Sequence, residues 1–484
     1  MLERDLDFPV KRAAFFSVLT ASVVYSGSMN DLEVRWRGFR GMASAQDFTF
    51  PRLTILIGRN NVGKTSAYAP LLLLRQTLDA RDPDTALLTR GSLIDVGNFK
   101  DLIYNHDKKR ELQLSLNIPV GSRYLPASAA SAQEIDVSFA YDEGRQRIWL
   151  KRSALLSGQG EVLIERSRAS VDESFSVKSS FLPRNVTVGR PLREVSALKE
   201  NLSGERPEGY LFTGLDGLRL PAEWREDEER WSKVRPWFNA ASKLYEIQLD
   251  AKYRIVELLQ GIAYLGPLRS LPQRTYRLAA ERPGDVGREG QFAPEILFRG
   301  HDEGLRDNVN SWLDRLGYGR VNFEKAGDEY FQVFLESGNR QRVNIADCGV
   351  GISQLLPILV QGYTAPRSAT FVSQQPEIHL NPAQQSVIAD FLIEATREGS
   401  RRVIVETHSE HVLLRVRRRI AEGVVDARDV AVYYFESQGG RTSVRKVTLG
   451  EGGEIDEWPE GFFEEQLNDA FALSRAQVMR GSVG

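Results

Sequence analysis

The chain has 484 residues, more than a single typical core holds, so two or more lobes are expected. Its 42% hydrophobic and 26% charged residues are ordinary for a globular protein, and a net charge of −2 excludes a global field that would draw it to nucleic acid or to a membrane surface. The single cysteine, Cys348, excludes an internal disulfide and a cysteine-based metal cage, which suits a reducing cytoplasm.

Lys11-Arg12 precede an apolar run from Ala13 to Tyr25 that imitates a secretory signal but is too short to span a bilayer comfortably. It reads as an N-terminal extension over 1–28, with the globular pattern starting at Met29. Leu32–Trp36 and Phe48–Ile57 alternate as strands. They lead into Gly58-Arg59-Asn60-Asn61-Val62-Gly63-Lys64-Thr65, a complete G-x-x-x-x-G-K-T loop, followed by Ser66 and a leucine-rich segment of helical length. Glycines let the backbone curl until several N–H groups point at one anion, and a helix start adds positive dipole. Lys64 can reach the β- and γ-phosphates of a nucleotide, and the Thr65 hydroxyl can ligate Mg²⁺. Such a loop needs nucleotide, which argues against secretion. Pro70 falls beyond the first helical turn and is expected to bend or shorten the helix.

Residues 111–118 and 135–151 read as strands with turn residues between them, and 152–220 as an irregular stretch with short strands. Residues 221–262 look helical and carry Trp224, Trp231, Trp237 and Tyr245, for which core packing is the first reading and base stacking the second. A strand follows at 329–336, turned at Ser337-Gly338-Asn339, then a helix at 352–362 and a short buried-type strand at 369–373. Asn381-Pro382 opens a helix that stops at Gly399. Arg402–Glu406 is the next strand, Ser409 to Ile420 a basic helix, and 430–436 with 442–449 a hairpin. Arg415, Arg417, Arg418 and Arg419 read equally as a solvated face or as a contact for nucleic acid or a second subunit. His408 and His411 lie three apart, but no metal cage is expected of them. His379 and His411 are read as structural, and Cys348 as a packing residue.

Three further segments carry a resemblance. Asp347-Cys348-Gly349-Val350-Gly351-Ile352-Ser353-Gln354 precedes a helix. It looks like a degenerate signature loop of ABC-type ATPases. Phe371 to Pro382, containing Gln374-Gln375-Pro376-Glu377-Ile378-His379-Leu380, resembles the Walker B strand and loop of the OLD-like and RecF/SMC-like ABC ATPases. Ile404-Val405-Glu406-Thr407-His408-Ser409 looks like their switch segment. Order and spacing agree with that group. Ala263 to Arg269 resembles a Y-L-G-P-L-R box of its stand-alone members, Asp95 to Phe99 the segment after their phosphate loop, and Trp458 to Phe463 a W-P-x-G-F-F box that ends one subgroup.

The resemblance implies an α/β fold of the ABC-type P-loop class, a mixed sheet flanked by helices with a large insertion between phosphate loop and signature. It implies core segments at 29–124 and 254–450, an insertion at 125–253 and a tail at 451–484. Gly58, Asn60, Asn61, Gly63, Lys64, Thr65 and Ser66 would bind ATP. Gly349, Gly351, Ser353 and Gln354 would close over the γ-phosphate held by a second copy. His408 would sense it, and Mg²⁺ would sit at Thr65 and the position of Gln374.

The chain departs from the group at that position. Gln374 stands where the metal-supporting acid belongs, and Gln375 where most relatives place the catalytic carboxylate. Glutamine cannot carry charge or accept a proton at neutral pH. Three explanations stay open: Glu377 substitutes, the chain is a natural slow switch, or Gln374 is an engineered Glu→Gln trap. The implied function is a cytoplasmic ATPase, dimeric or larger, acting on DNA or RNA or gating an effector such as a nuclease or toxin, with prokaryotic anti-phage defence as the common setting and no membrane partner. The alternatives are a non-hydrolysing nucleotide-bound scaffold and, ranked last, a transporter ATPase subunit.

Overall fold

The computed structural model describes residues 31–119, 131–183, 205–212, 226–300, 304–336, 342–366, 368–397, 401–455 and 472. The N-terminal extension, the turn at 337–339, Trp224, Gly399 and the W-P-x-G-F-F box lie outside them.

Two sheets carry most of the molecule. The first is antiparallel and seven-stranded, ordered β2 (Gln46–Phe50), β1 (Leu32–Arg37), β4 (Leu112–Asn117), β5 (Glu134–Asp142), β6 (Arg147–Leu156), β7 (Val162–Ser167) and β8 (Ser176–Lys178). β1 buries alternate residues, as a strand with one wet face must. The strands of 134–178 therefore continue the sheet that β1, β2 and β4 begin.

The second sheet has six strands, ordered β17 (Arg441–Val447), β16 (Val430–Gln438), β3 (Leu53–Gly58), β15 (Arg402–Thr407), β14 (Thr370–Gln374) and β9 (Ile262–Leu265). β16, β3, β15, β14 and β9 run parallel, and β17 closes the edge antiparallel. β3 and β15 are buried along their whole length, which explains their near-continuous apolar sequences. Their side chains alternate between two cores. Leu56, Val372, Ile404 and Phe435 join the core shared with the first sheet, α1 (Ala69–Leu78) and α3 (Glu228–Gln260). Ile55, Phe371, Val405 and Tyr434 join the core shared with α4 (Ala293–Arg299), α5 (Leu305–Arg315), α6 (Val350–Thr364), α7 (Pro382–Arg397) and α8 (Glu410–Ala421). A four-stranded antiparallel sheet of β10 (Tyr276–Arg277), β11 (Arg320–Lys325), β12 (Tyr330–Glu336) and β13 (Arg342–Asn344) lies against that second core, and α2 (Phe99–Leu102) is a single turn capped by Asn98.

This is the expected ABC-type P-loop arrangement, a mixed sheet with helices on its faces. Asn381 caps α7 by accepting the Gln384 N–H at 3.0 Å, and Ser409 caps α8 by accepting that of Val412 at 3.2 Å. In α3, Trp237 is buried while Tyr245 is partly exposed. Trp231 packs on Phe238 with ring centroids 5.6 Å apart. Core packing accounts for Trp237.

The helix after the phosphate loop is broken rather than bent. Lys64–Ala67 form one 3-10 turn, and α1 begins at Ala69. Pro70 has no amide to give the Ser66 carbonyl, so an α-helical ladder cannot run through it. The Leu71 N–H bonds the Tyr68 carbonyl rather than that of Ala67, to which Trp36 Nε1 donates at 2.7 Å.

Candidate nucleotide-binding site

The carboxyl ends of β3, β15 and β14 bring the motifs together, the edge at which parallel sheets bind ligands. The loop leaves β3 at Gly58, whose φ of 149° and close approach to the Phe435 carbonyl admit no Cβ. At Gly63, φ is 96°, and a Cβ would stand 2.8 Å from Thr442 Oγ1. That hydroxyl donates to the Val62 carbonyl at 3.1 Å, so β17 braces the loop from outside. Asn61 is left-handed at φ 62°, and Arg59, Asn60 and Asn61 at the tip are exposed.

Lys64 is buried, and its Nζ donates to the carbonyls of Gly58 at 3.0 Å and Arg59 at 2.8 Å. Burial lowers its pKa, with Glu406 and Glu377 opposing. Thr65 Oγ1 donates to Glu406 Oε2 at 3.0 Å, and Tyr68 donates to the same oxygen at 2.8 Å. Burial and the adjacent Glu406 raise the Tyr68 pKa well above its usual value, so it stays a donor. Ser66 Oγ is buried without a hydrogen-bond partner.

On β14, Gln374 Oε1 accepts from the Tyr264 hydroxyl at 2.9 Å, and burial pushes that phenol up to about 12. Gln375 adopts φ 48° and donates its N–H to the Glu406 carbonyl at 2.6 Å. Glu377 is buried, and Oε1 accepts the His408 N–H at 2.8 Å. Burial raises the Glu377 pKa, while burial and then Lys64 lower that of half-buried His408.

The residues expected to form a signature loop sit at the start of α6. Gly349 caps it in extended backbone, and Gly351 packs where a Cβ would strike the Tyr318 hydroxyl. Ser353 and Gln354 are buried. Ser353 Oγ donates to the Val350 carbonyl at 2.6 Å, while Gln354 Oε1 accepts from Arg269 at 3.0 Å. Arg269 also donates to the carbonyls of Gln374 at 2.9 Å and Gln375 at 3.3 Å. It stays charged near neutral pH although burial lowers its pKa to about 10. One guanidinium thus ties α6 to the loop after β14. Gly349, Gly351 and Ser353 make no hydrogen bond to the phosphate loop among the described residues.

The basic run of α8 is engaged within the chain. Arg415 and Arg419 pair with Asp390 at 3.0 and 2.7 Å, Arg418 with Glu422 at 2.7 Å, and Arg417 donates to the Gly453 carbonyl at 2.7 Å. Neither expected reading of that helix, a solvated face or a contact for nucleic acid or a second subunit, included these pairings.

The motifs marked the loop and both glutamines but gave no role to Glu406, Tyr264, Arg269 or Thr442. The signal for Glu406 was an acid in the strand R-V-I-V-E-T, otherwise apolar at its centre and wholly buried. The loop fits a nucleoside triphosphate: its tip residues are exposed, Ser66 Oγ lacks a partner, and Lys64 leans on carbonyls that phosphate oxygens can replace. Among the described residues no three of His, Cys, Asp and Glu form a metal cage. Mg²⁺ does not need one, since it takes one or two carboxylates with phosphates and water. Thr65 with Glu406 offers such a corner.

Among solved structures, an SMC head bound to the C-winged helix domain of ScpA matches at 13% identity, covering 88% of this chain and 99% of that one, with a TM-score of 0.43. The SMC head domain from Thermotoga maritima matches at 11% identity over 87% and 99%, TM-score 0.34. The Pyrococcus furiosus Smc head with an extended coiled coil, bound to the C-terminal domain of ScpA, matches at 14% over 87% and 96%, TM-score 0.37. No curated protein matches the chain. No helix among the described residues is long and apolar enough to cross a membrane. Residues 425–473 match a family described as a protein of unknown function (DUF3696). Residues 53–415, more than half of the chain, match another, and the protein belongs to that family: AAA domain, putative AbiEii toxin, Type IV TA system.

Proposed function

We propose that the chain is an ATPase that works through nucleotide-dependent association of two copies. Gly58, Asn60, Asn61, Gly63, Lys64, Thr65 and Ser66 hold the triphosphate, and Thr65 holds its Mg²⁺. Bound Mg²⁺ neutralises phosphate charge. Gly349 to Gln354 of a second copy complete the site from across the interface, with the α6 N-terminus facing the anion. His408, kept neutral by burial, reads the γ-phosphate, and Glu377 beneath it orients its backbone. The associated pair then gates an effector or acts on nucleic acid. The matched family's printed description, a toxin of a type IV toxin–antitoxin system, supports a defence setting.

The carrying observation is Lys64, buried and leaning on two carbonyls of its own loop beside the Thr65–Glu406 pair. The test is ATP binding and phosphate release by the parent, Lys64→Ala and Gln374→Glu. The parent should bind ATP, and Lys64→Ala should bind at least about tenfold more weakly, a loss of about 1.4 kcal/mol. Binding that Lys64→Ala leaves intact would refute the reading.

The amides at Gln374 and Gln375 favour a second reading, a scaffold that binds ATP without turning it over. Gln374→Glu should raise turnover by about 10²-fold or more if the parent is a trapped ATPase. If both bind ATP and neither releases phosphate, the scaffold reading holds.

A further inference from the structure

The charge at the metal corner of the site comes from an unexpected strand. β14, which ends in Gln374, is not a neighbour of β3, because β15 lies between them. Glu406 of β15 stands in register with Leu56 on one side and Gln374 on the other. Gln374 brings no charge, and its carbonyl oxygen is already held by Tyr264. Glu406 is 5% exposed and accepts two hydroxyl donors on a single oxygen, one of them Thr65 of the phosphate loop. It has no ion pair among the described residues, since the nearby Lys64 Nζ is bonded to loop carbonyls. Lys64 attracts this carboxylate without bonding to it, and the two hydroxyls on its oxygen are neutral, so a cation at this corner would be favoured.

We infer that Glu406, not Gln374, supplies the negative charge for the divalent cation that accompanies the nucleotide. By accepting the Thr65 hydrogen bond it turns the lone pairs of that hydroxyl toward the cation. Glu406 is thus a positioning residue, and the inference rests on the nucleotide reading above. It also supplies a reason why the Walker B position can be an amide. A carboxylate at 374 would stand beside Glu406 in the same parallel register, and two adjacent like charges would disfavour each other until a cation arrived.

The test is ATP affinity of the full chain by calorimetry, once with Mg²⁺ and once with EDTA, for the parent, Glu406→Gln, Gln374→Ala and Lys64→Ala. Glu406→Gln keeps an acceptor for Thr65 and Tyr68 but removes the charge. The parent should bind more tightly with Mg²⁺. Glu406→Gln should lose about tenfold to 100-fold of that gain, the usual scale for an outer-shell partner of a metal, with metal-free affinity unchanged or higher. Gln374→Ala should keep the gain. If Glu406→Gln retains it, or Gln374→Ala abolishes it, the inference is overturned. A parent that binds ATP equally with Mg²⁺ and EDTA overturns this inference and leaves the nucleotide reading standing. A parent that binds no ATP removes both. Melting without nucleotide checks the fold. Should Glu406→Gln not fold, Glu406→Asp carries the test through Mn²⁺ binding read by electron paramagnetic resonance. Its shorter reach should weaken Mn²⁺ several-fold with metal-free ATP affinity unchanged, and unaltered Mn²⁺ binding would overturn the inference.

Discussion

Glu377 is the residue at which charge and burial conflict most directly. Its carboxyl accepts the His408 N–H inside a buried loop, and burial raises its pKa above the ordinary 4.5. Between 4.5 and that raised value the folded chain keeps a proton that the unfolded chain has released. The contribution to stability is therefore complete below 4.5 and falls as pH rises, by at most about 1.4 kcal/mol per pH unit within that window. Glu377→Gln retains the acceptor and removes the titration. Its stability relative to the parent should grow as pH climbs above 4.5 and then level off, as read by urea denaturation across a pH series. A difference that stays flat would mean the carboxyl is not raised. If Glu377 is also the base that Gln375 cannot be, the same variant should lose about 10²-fold or more in phosphate release. At this scale the sequence displayed glutamines at two positions where the resemblance calls for acids, because motif spacing fixes which residue falls at which strand end. It did not display Glu406 or Arg269 as site residues, since their roles come from parallel pairing between strands far apart in the chain.

Elements were legible where a local cue started or stopped them. The caps at Asn381 and Ser409, the apolar runs of β3 and β15, and the hairpin of β16 and β17 all lie close to the expected positions. The broken helix after the loop follows from one proline. What a single element cannot declare is which face it turns inward, and α8 is the instance. Its arginines read equally as a solvated face or a contact surface until α7 is placed beside it, where Asp390, 10% exposed in its side chain, receives both Arg415 and Arg419. These pairs are partly buried, Arg419 making two hydrogen bonds to Asp390 and Arg415 one, so they hold α7 to α8. Asp390→Asn should lower stability by about 1–3 kcal/mol, between the values for exposed and fully buried pairs. The urea midpoint should fall with the slope unchanged. A midpoint that does not move would return the arginines to the solvent and to an external partner.

At the scale of the whole molecule, the ABC-type α/β class was legible because loop, signature, Walker B and switch segments occur in one order along the chain. The continuation of the first sheet through 134–178 was not, since β1 pairs with β4 across Val34 and Leu116 and nothing local encodes that register. Association is likewise a property of two surfaces and is invisible in one chain. The proposed mechanism nevertheless constrains it. Among the described residues Gly349, Gly351 and Ser353 make no hydrogen bond to their own loop, and Gln354 is held inward by Arg269. Under the proposed mechanism a second copy supplies the donors at the loop tip, so assembly should require nucleotide and should be strongest when turnover is slow. With a net charge of −2, mutual repulsion between copies is small, and salt should change the association little. Light scattering of the parent should therefore give the mass of one chain without nucleotide and of two with ATP and Mg²⁺, with two nucleotides bound per pair. Gly349→Trp, where added bulk meets open space at the α6 N-terminus, should bind ATP and remain single. A mass that ATP leaves unchanged, in a chain that binds ATP, would remove the shared site and leave a monomeric nucleotide switch.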